Sequence, residues 1–124
     1  MQITLATLKD ATAQQVFDQV KTHLLTQNQK AKPLSYGACQ YRYEGLKCAA
    51  GCLISDDEYS PDMEVGALGG GSWPRLVHTY IVPEWHKDLI TALQCIHDDY
   101  MMDEWASRLH LLACDFGLTC EVNL

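Results

Sequence analysis

The sequence predicts an α+β fold that is mainly helical, with four or five helices packed around a small β-hairpin at about residues 38–48. Apolar residues recur at helical spacing in three stretches, and a short stretch of alternating side chains leads into Gly45. With 124 residues the chain is long enough to bury a core as one domain over residues 1–124, without help from a metal or a disulfide.

The first predicted helix begins at Thr12 and runs to about Asn28. Thr12 and Gln15 have the spacing of a capping box, in which each side chain covers a backbone N–H of the other residue. The apolar residues behind them keep helical spacing, and His23 lies beside this stripe, where a packed or half-exposed ring is expected rather than a ligand. Pro33 stops any continuation of the helix.

The predicted hairpin turns at Glu44 and Gly45, a weaker turn signal than Asn-Gly. A two-residue loop would place Tyr43 opposite Leu46, whereas a loop of three or four residues would change that register. The alternation begins at Cys39, so one face of the ribbon is predicted to be largely apolar.

The segment 49–54 is small and apolar throughout, and we expect it to form a short buried helix at the centre of the fold. Gly51 indicates that another backbone passes close by. Further helical turns are expected over 55–65. The stretch 66–72 holds four glycines and is expected to be a mobile loop, and 73–80 is a short helix or an irregular segment.

Two helices are predicted in the last third of the chain. Pro83 opens the first, which ends near Tyr100. Asp103 and Glu104 favour the N-terminus of the second through the helix dipole, and Gly117 suits its C-terminal cap.

The charge balance restricts the classes of partner. A formal net charge of −7, with only nine lysines and arginines, argues against direct nucleic-acid binding, because affinity for a phosphate backbone comes from cations. It is compatible with docking on a basic protein surface. No apolar run approaches the length of a membrane span, and the first residues lack the pattern of a secretory signal. We therefore expect a cytoplasmic protein with reduced thiols.

Three of the six cysteines, Cys39, Cys48 and Cys52, offer a candidate zinc site on the hairpin and the segment behind it. Structural zinc sites usually show closer cysteine pairs and a clear fourth ligand, so buried apolar thiols are the favoured interpretation. A nucleophilic Cys48 or Cys52 at a helix N-terminus is a further possibility, but no histidine spacing identifies a base. We expect no cofactor.

Two acidic clusters follow, at 56–64 and at 98–104, and neither matches an EF-hand loop. A solvated acidic face is the default interpretation. The adjacent acidic and aromatic side chains of one short stretch are the candidate partner-binding patch. Its members are Asp56, Asp57, Glu58 and Tyr59.

Four segments together resemble a recurrent family of small proteins of bacteriophages, prophages and some bacterial genomes. They read HLLTQ (23–27), CQYRYEGLKCAAGCLISDDEYSPDME (39–64), LQCIHDDY (93–100) and EWASRLHLLACDFGL (104–118). The family brings no activity or catalytic residue with it. The resemblance implies a phage accessory protein that acts inside a host cell. The Tyr43-Glu44 pair before Gly45 and the glycine-rich insert at 66–72 depart from the family pattern.

The expected function is therefore that of a non-catalytic protein, encoded by a phage, that binds and modulates a host or defence protein in the host cytoplasm. The alternative is a small-molecule or zinc-binding module, with a pocket between the hairpin and the helix that carries Trp85. An enzyme that uses Cys48 or Cys52 ranks third.

Overall fold

A computed structural model describes residues 2–32, 40–60 and 82–120 of the chain. Within these ranges the protein is mainly helical, with three α-helices and one two-stranded antiparallel sheet. The helices are α1 (Ala13–Gln27), α2 (Lys87–Asp99) and α3 (Trp105–Asp115), and the strands are β1 (Arg42–Tyr43) and β2 (Leu46–Lys47). Single 3₁₀ turns occupy Leu8–Asp10, Gly51–Leu53, Glu84–His86 and Met102–Glu104.

The predicted count of four or five helices is higher than the three α-helices found over residues 2–32, 40–60 and 82–120. The segment predicted as a short central helix forms one 3₁₀ turn, because the backbone of Ile54 is extended and ends the helical geometry after Leu53. The helical turns predicted beyond Ser60, the glycine-rich stretch 66–72 and the segment 73–80 lie outside the described residues.

Helix α1 begins with the predicted capping box. The Thr12 side chain accepts a hydrogen bond from the Gln15 N–H, and the Gln15 side chain accepts one from the Thr12 N–H. The helix ends at Asn28, which has a left-handed backbone conformation (φ 51°). Glycine is the usual residue in this conformation at a helix end, and asparagine is the common alternative. One face of α1 is fully buried, through Val16, Phe17, Val20 and Leu24.

The hairpin has the register of the two-residue loop, with Tyr43 opposite Leu46 and Arg42 opposite Lys47. Both loop residues have positive φ, 48° at Glu44 and 82° at Gly45, which is the turn geometry that matches the twist of a hairpin. The two-residue loop requires a positive φ at position 44. A glutamate side chain is strained in this conformation, so Glu44 makes the turn less stable than a glycine or asparagine would.

The 3₁₀ turn Gly51–Leu53 lies at the centre of the fold, as the sequence predicted. A Cβ atom built on Gly51 would overlap the carbonyl oxygen of Tyr41 and lie 2.9 Å from its carbonyl carbon. Gly51 is therefore required by the close passage of the hairpin backbone over this turn.

Helices α2 and α3 pack on each other and on α1 to complete the core. Trp105 at the start of α3 is fully buried, its indole N–H donates to the Tyr100 carbonyl at 3.2 Å, and its ring stacks on His97 of α2. None of the helices in the described ranges is long and apolar enough to cross a bilayer.

Replacing Gly51 by alanine is expected to destabilise the protein by about 3 kcal/mol, because a methyl group must displace the Tyr41 backbone. The measurement is urea unfolding followed by tryptophan fluorescence. The matched control is Gly117→Ala, where φ is 68° but the space for a Cβ is open, so only the backbone cost of about 1 kcal/mol is expected. Equal losses in the two variants would contradict the close contact at Gly51.

Candidate functional site

Three glutamine side chains of α1 each pair with both backbone polar groups of one distant residue. In each pair the carboxamide oxygen accepts from the backbone N–H and the carboxamide nitrogen donates to the carbonyl oxygen of the same residue. The pairs are Gln14 with Thr119 (2.9 and 2.9 Å), Gln19 with Ile3 (2.7 and 2.9 Å) and Gln27 with Lys47 (2.9 and 2.8 Å). Helix α1 thus holds the N-terminal segment, the hairpin and the C-terminal tail by the same contact.

A groove of about 1070 Å³ runs along the polar face of α1. Its other walls are the N-terminal strap, which we define as residues 2–7, and the end of the hairpin around Lys47. We call this feature the α1 groove. Its lining from α1 is Gln15, Asp18, Gln19, Thr22, His23, Thr26 and Gln27, and the remaining lining residues are Gln2, Ile3, Thr7, Asp10, Ala11, Lys47 and Cys52.

His23 lies half-buried in the middle of this groove, as the sequence predicted for its ring. Its Nε2 is 2.8 Å from the Lys47 carbonyl oxygen. Because a carbonyl can only accept, Nε2 carries the proton and Nδ1 is left as an acceptor in the neutral ring. Burial lowers the pKa of His23, and the Lys47 ammonium lowers it further against the opposing effect of the carbonyl bond. The ring is therefore neutral at physiological pH.

The predicted patch Asp56–Tyr59 has two different halves. Asp56 and Asp57 are exposed, whereas Glu58 and Tyr59 are partly buried. The Glu58 carboxylate accepts the backbone N–H groups of Leu5 (3.0 Å), Ala6 (2.8 Å) and Ser55 (3.0 Å). Glu58 thereby fastens the N-terminal strap, and through it one wall of the α1 groove.

Arg42 connects the other half of the patch to the hairpin. Its guanidinium contacts the Asp56 carboxylate at 2.8 Å, donates to the Ile54 carbonyl at 2.9 Å and lies over the Tyr59 ring at 4.6 Å from its centroid. The Asp56 side chain is nevertheless 85% exposed, so this ion pair is screened by solvent. A partner-binding role for the patch stays a prediction.

The candidate cysteines Cys48 and Cys52 are buried, and Cys39 lies outside the described residues. The Cys48 sulfur accepts the Gly51 N–H at 3.3 Å, and the Cys52 thiol donates to the Ala49 carbonyl at 3.1 Å. Burial raises the pKa of Cys48 far above its ordinary value and that of Cys52 to about 12. Both are thiols at neutral pH, which is unsuited to a nucleophile. Within the described ranges, no three histidine, cysteine or acidic side chains are grouped to hold a metal.

Two neighbouring residues of α2, the buried His97 and the partly exposed Asp98, have the composition of a catalytic dyad. His97 Nδ1 lies 2.7 Å from the Asp98 carboxylate, which also accepts from Gln94 at 2.8 Å. The other ring nitrogen, Nε2, accepts the Ala31 N–H at 3.1 Å. Because the atom that would take a proton from a substrate is already occupied and the ring is fully buried, this pair acts in the fold and not in catalysis.

The C-terminal helical surface, which we define as the exposed residues of 84–116, combines apolar and acidic side chains. Its large apolar members are Trp85 (69% exposed), Met101 (61%), Leu111 (53%) and Phe116 (39%). Its acidic members are Glu84, Asp88, Asp99, Asp103, Glu104 and Asp115, against a single exposed lysine, Lys87. Exposed aromatic and methionine side chains are typical of protein-binding surfaces.

Sequence reasoning missed the α1 groove. The only signal was the row Gln19, His23 and Gln27, which are four residues apart and therefore lie on one side of a helix. The α1 groove lies between α1, the strap and the hairpin. The pocket expected between the hairpin and the Trp85 helix is a different place in the fold and stays a prediction. The chain matches no protein-family model, no curated protein and no solved structure at a significant level.

The stability that Glu58 contributes is expected to depend on pH. Although burial alone would raise its pKa, the three backbone N–H groups and the Ser55 hydroxyl lower it below the ordinary value of 4.5. A lowered folded-state pKa stabilises the fold above pH 4.5, and that stability is lost as the pH falls through the folded value. We expect Glu58→Gln to cost about 1–2 kcal/mol at pH 7 and much less at pH 3.

This dependence can be measured by urea unfolding of the native chain and the variant at both pH values. Asp57→Asn is the matched control, because the Asp57 carboxylate is next to Glu58 in the sequence and is exposed. Its free energy of unfolding is expected to change by less than about 0.5 kcal/mol at either pH. A Glu58→Gln penalty that stays constant from pH 7 to pH 3 would show that the carboxylate charge does not fasten the strap.

Cys48 and Cys52 are expected to resist alkylation in the folded protein. Iodoacetamide at pH 7.5 should modify the exposed Cys114 first and the exposed Cys95 more slowly, because partial burial and the neighbouring Asp99 and Asp98 raise the pKa of the Cys95 thiol. Both buried thiols should stay intact until denaturant is added. Peptide mass spectrometry of the quenched reaction gives the extent at each position. Native modification of Cys48 or Cys52 as fast as that of Cys114 would restore the hypothesis of a reactive cysteine.

Proposed function

We propose that this chain is a non-catalytic phage accessory protein that acts in the host cytoplasm by binding and modulating a host or defence protein. The observation that supports the proposal most directly is that Trp85, Met101 and Leu111 are exposed in a stretch, 84–116, whose exposed charged side chains are mainly acidic. Tryptophan and methionine side chains are enriched at protein–protein interfaces relative to the rest of the surface. The phage setting comes from the resemblance of the sequence segments.

The acidic surroundings of these side chains indicate the chemistry of the partner. A partner that carries lysines or arginines around an apolar pocket would receive Trp85 in the pocket and pair with exposed carboxylates such as Glu84 and Asp88, which are near Trp85 in the sequence. Charges at the rim of an interface mainly raise the association rate and make it dependent on salt. The proposed partner is therefore a host protein with a basic face, bound more weakly as ionic strength rises.

The burial of Cys48, Cys52 and His97, the candidate catalytic side chains considered above, supports a binding role over a catalytic one. Cys48 and Cys52 are protonated and buried. His97 offers no free nitrogen that could act as a base, because its Nε2 accepts the Ala31 N–H. These groups contribute hydrogen bonds to the core, which is their role in the proposal.

The experiment compares retention of host proteins by three forms of the tagged chain at two salt concentrations. The double variant Trp85→Ala/Leu111→Ala is expected to lose at least tenfold in affinity for a host protein that the native chain retains near stoichiometrically. The third form, Asp56→Asn/Asp57→Asn, tests the predicted patch as the alternative interface. Binding as tight as that of the native chain is expected if the partner contacts the C-terminal helical surface.

Either of two results would revise the proposal. Loss of binding in the Asp56→Asn/Asp57→Asn variant alone would move the interface to the predicted patch. Retention of no host protein at either salt concentration by the native chain would exclude the proposed binding function in that host. Circular dichroism of each variant checks that the fold is intact.

A further inference from the structure

Helix α1 already recognises extended backbone inside its own fold. Gln19 and Gln27 pair with the N–H and C=O of Ile3, in the strap, and of Lys47, in β2, and both of these residues line the groove. A carboxamide can do this because it presents one donor and one acceptor with the spacing of a peptide group. The polar face of α1 is therefore built to bind peptide backbone.

Between these two glutamines the groove keeps hydrogen-bonding groups that the fold does not use. Among the described residues, no partner is found for His23 Nδ1 or for the hydroxyls of Thr22 and Thr26. His23 Nδ1 is fixed as an acceptor by the bond from Nε2 to the Lys47 carbonyl, 2.8 Å away. The groove thus offers an acceptor for a backbone N–H and two hydroxyls that can donate to carbonyl oxygens.

The spacing of these groups fits an extended chain. Asp18, Thr22 and Thr26 are four residues apart, which places them about 6 Å apart along the helix axis. Every second residue of an extended peptide advances by about 6.7 Å. A strand lying along α1 would therefore bring alternate residues over Asp18, Thr22 and Thr26 in turn.

Charge gives the groove a direction. Asp10 and Asp18 line it near the beginning of α1, and Lys47 lines it near the end. In the described part of the chain, no carboxylate pairs with Lys47. The levels of Asp18 and Gln27 on α1 are about 14 Å apart, the length of roughly five extended residues. A ligand that places a cation at one end and a carboxylate at the other would meet opposite charges at both.

We propose that the α1 groove binds an extended peptide segment of about five residues, with a basic side chain next to Asp10 and Asp18 and an acidic side chain next to Lys47. A backbone N–H of the segment donates to His23 Nδ1, and its carbonyl groups accept from Thr22 and Thr26. The segment is an extended stretch of a partner protein. The site is separate from the C-terminal helical surface, and it stands whether or not that surface binds a host protein.

The test uses two capped peptides of identical composition, acetyl-Lys-Ala-Thr-Ala-Glu-amide and acetyl-Glu-Ala-Thr-Ala-Lys-amide, titrated into the ¹⁵N-labelled full chain. We expect one of the two sequence orders to give saturable shifts of the backbone amides of Thr22, His23, Thr26 and Lys47. The other order, which reverses the charges relative to the backbone direction, is expected to bind at least tenfold more weakly.

Charge reversal at Lys47 tests the assignment of the acidic end. Lys47→Glu is expected to weaken the preferred peptide at least tenfold, whereas Lys87→Glu, a matched change at an exposed lysine of α2, leaves binding unchanged. Thermal unfolding of both variants checks the fold, and Lys47→Gln provides a milder change if Lys47→Glu unfolds.

Three outcomes would overturn the inference: no saturable shift at millimolar peptide, equal affinity for the two orders, or shifts that cluster outside the α1 groove. To test the source of the segment, the preferred sequence is placed in a flexible loop of an unrelated carrier protein. Binding of the carrier as well as the free peptide supports a protein segment as the occupant, and binding of the free peptide alone would overturn that assignment.

Discussion

The pairing of glutamine carboxamides with peptide groups is the interaction on which the arrangement of this chain depends. Helix α1 buries one face in the core, and its polar side holds three chain segments that are far apart in sequence. A lysine or glutamate at these positions could satisfy only the acceptor or only the donor of the backbone. Glutamine satisfies both, so each segment is fixed in position and in orientation.

The pairing at Lys47 also solves a problem of the small sheet. Residues 42 and 47 face each other without exchanging hydrogen bonds, so the N–H and C=O of Lys47 point away from β1 toward open space. An uncovered strand edge can pair with another chain. Gln27 covers both groups and His23 shares the carbonyl, which closes the edge with side chains from a helix.

Other polar side chains also bind backbone groups of segments that are distant in the sequence. The Nε2 of His86 lies 2.9 Å from the Leu8 carbonyl and 3.0 Å from that of Ala11, which ties the start of α2 to the segment before α1. Gln94 accepts the Ala50 N–H at 2.9 Å and so links α2 to the central turn. Polar atoms taken into the core must find partners, and here most of those partners are backbone groups of connecting segments. Residues that resemble catalytic groups in the sequence are thereby used to order loops.

The sequence predicts those features that depend on neighbouring residues. The capping box of Thr12 and Gln15 and the hairpin register at Tyr43 and Leu46 follow from local spacing, and the structure has both. The prediction of a short helix over 49–54 was wrong in its extent, because a segment of six residues gains too few helical hydrogen bonds to extend beyond one turn. Its central place was predicted because Gly51 marks a close backbone contact irrespective of the local conformation.

The candidate site could not be predicted in the same way, because its partners are backbone atoms. In the sequence, Glu58 looks like one more surface carboxylate in an acidic stretch. The groups that bind it are the backbone N–H groups of residues 5 and 6, and almost any residue type there would provide the same groups. The contact between Gln14 and Thr119 spans 105 positions and leaves no mark in either local pattern. Only the spacing of Gln19, His23 and Gln27 hinted at a common face.

The strap joins the predicted acidic patch to the α1 groove. Gln19 holds it at Ile3 from the groove side, and Glu58 holds it at Leu5 and Ala6 from the other. A protonated Glu58 carboxyl accepts these N–H bonds less strongly, so protonation weakens this attachment, whereas the bonds of Gln19 to Ile3 and of Gln2 to the Cys52 carbonyl do not depend on a carboxylate. The attachment of the strap, and with it one wall of the groove, is therefore more sensitive to acid than the buried face of α1.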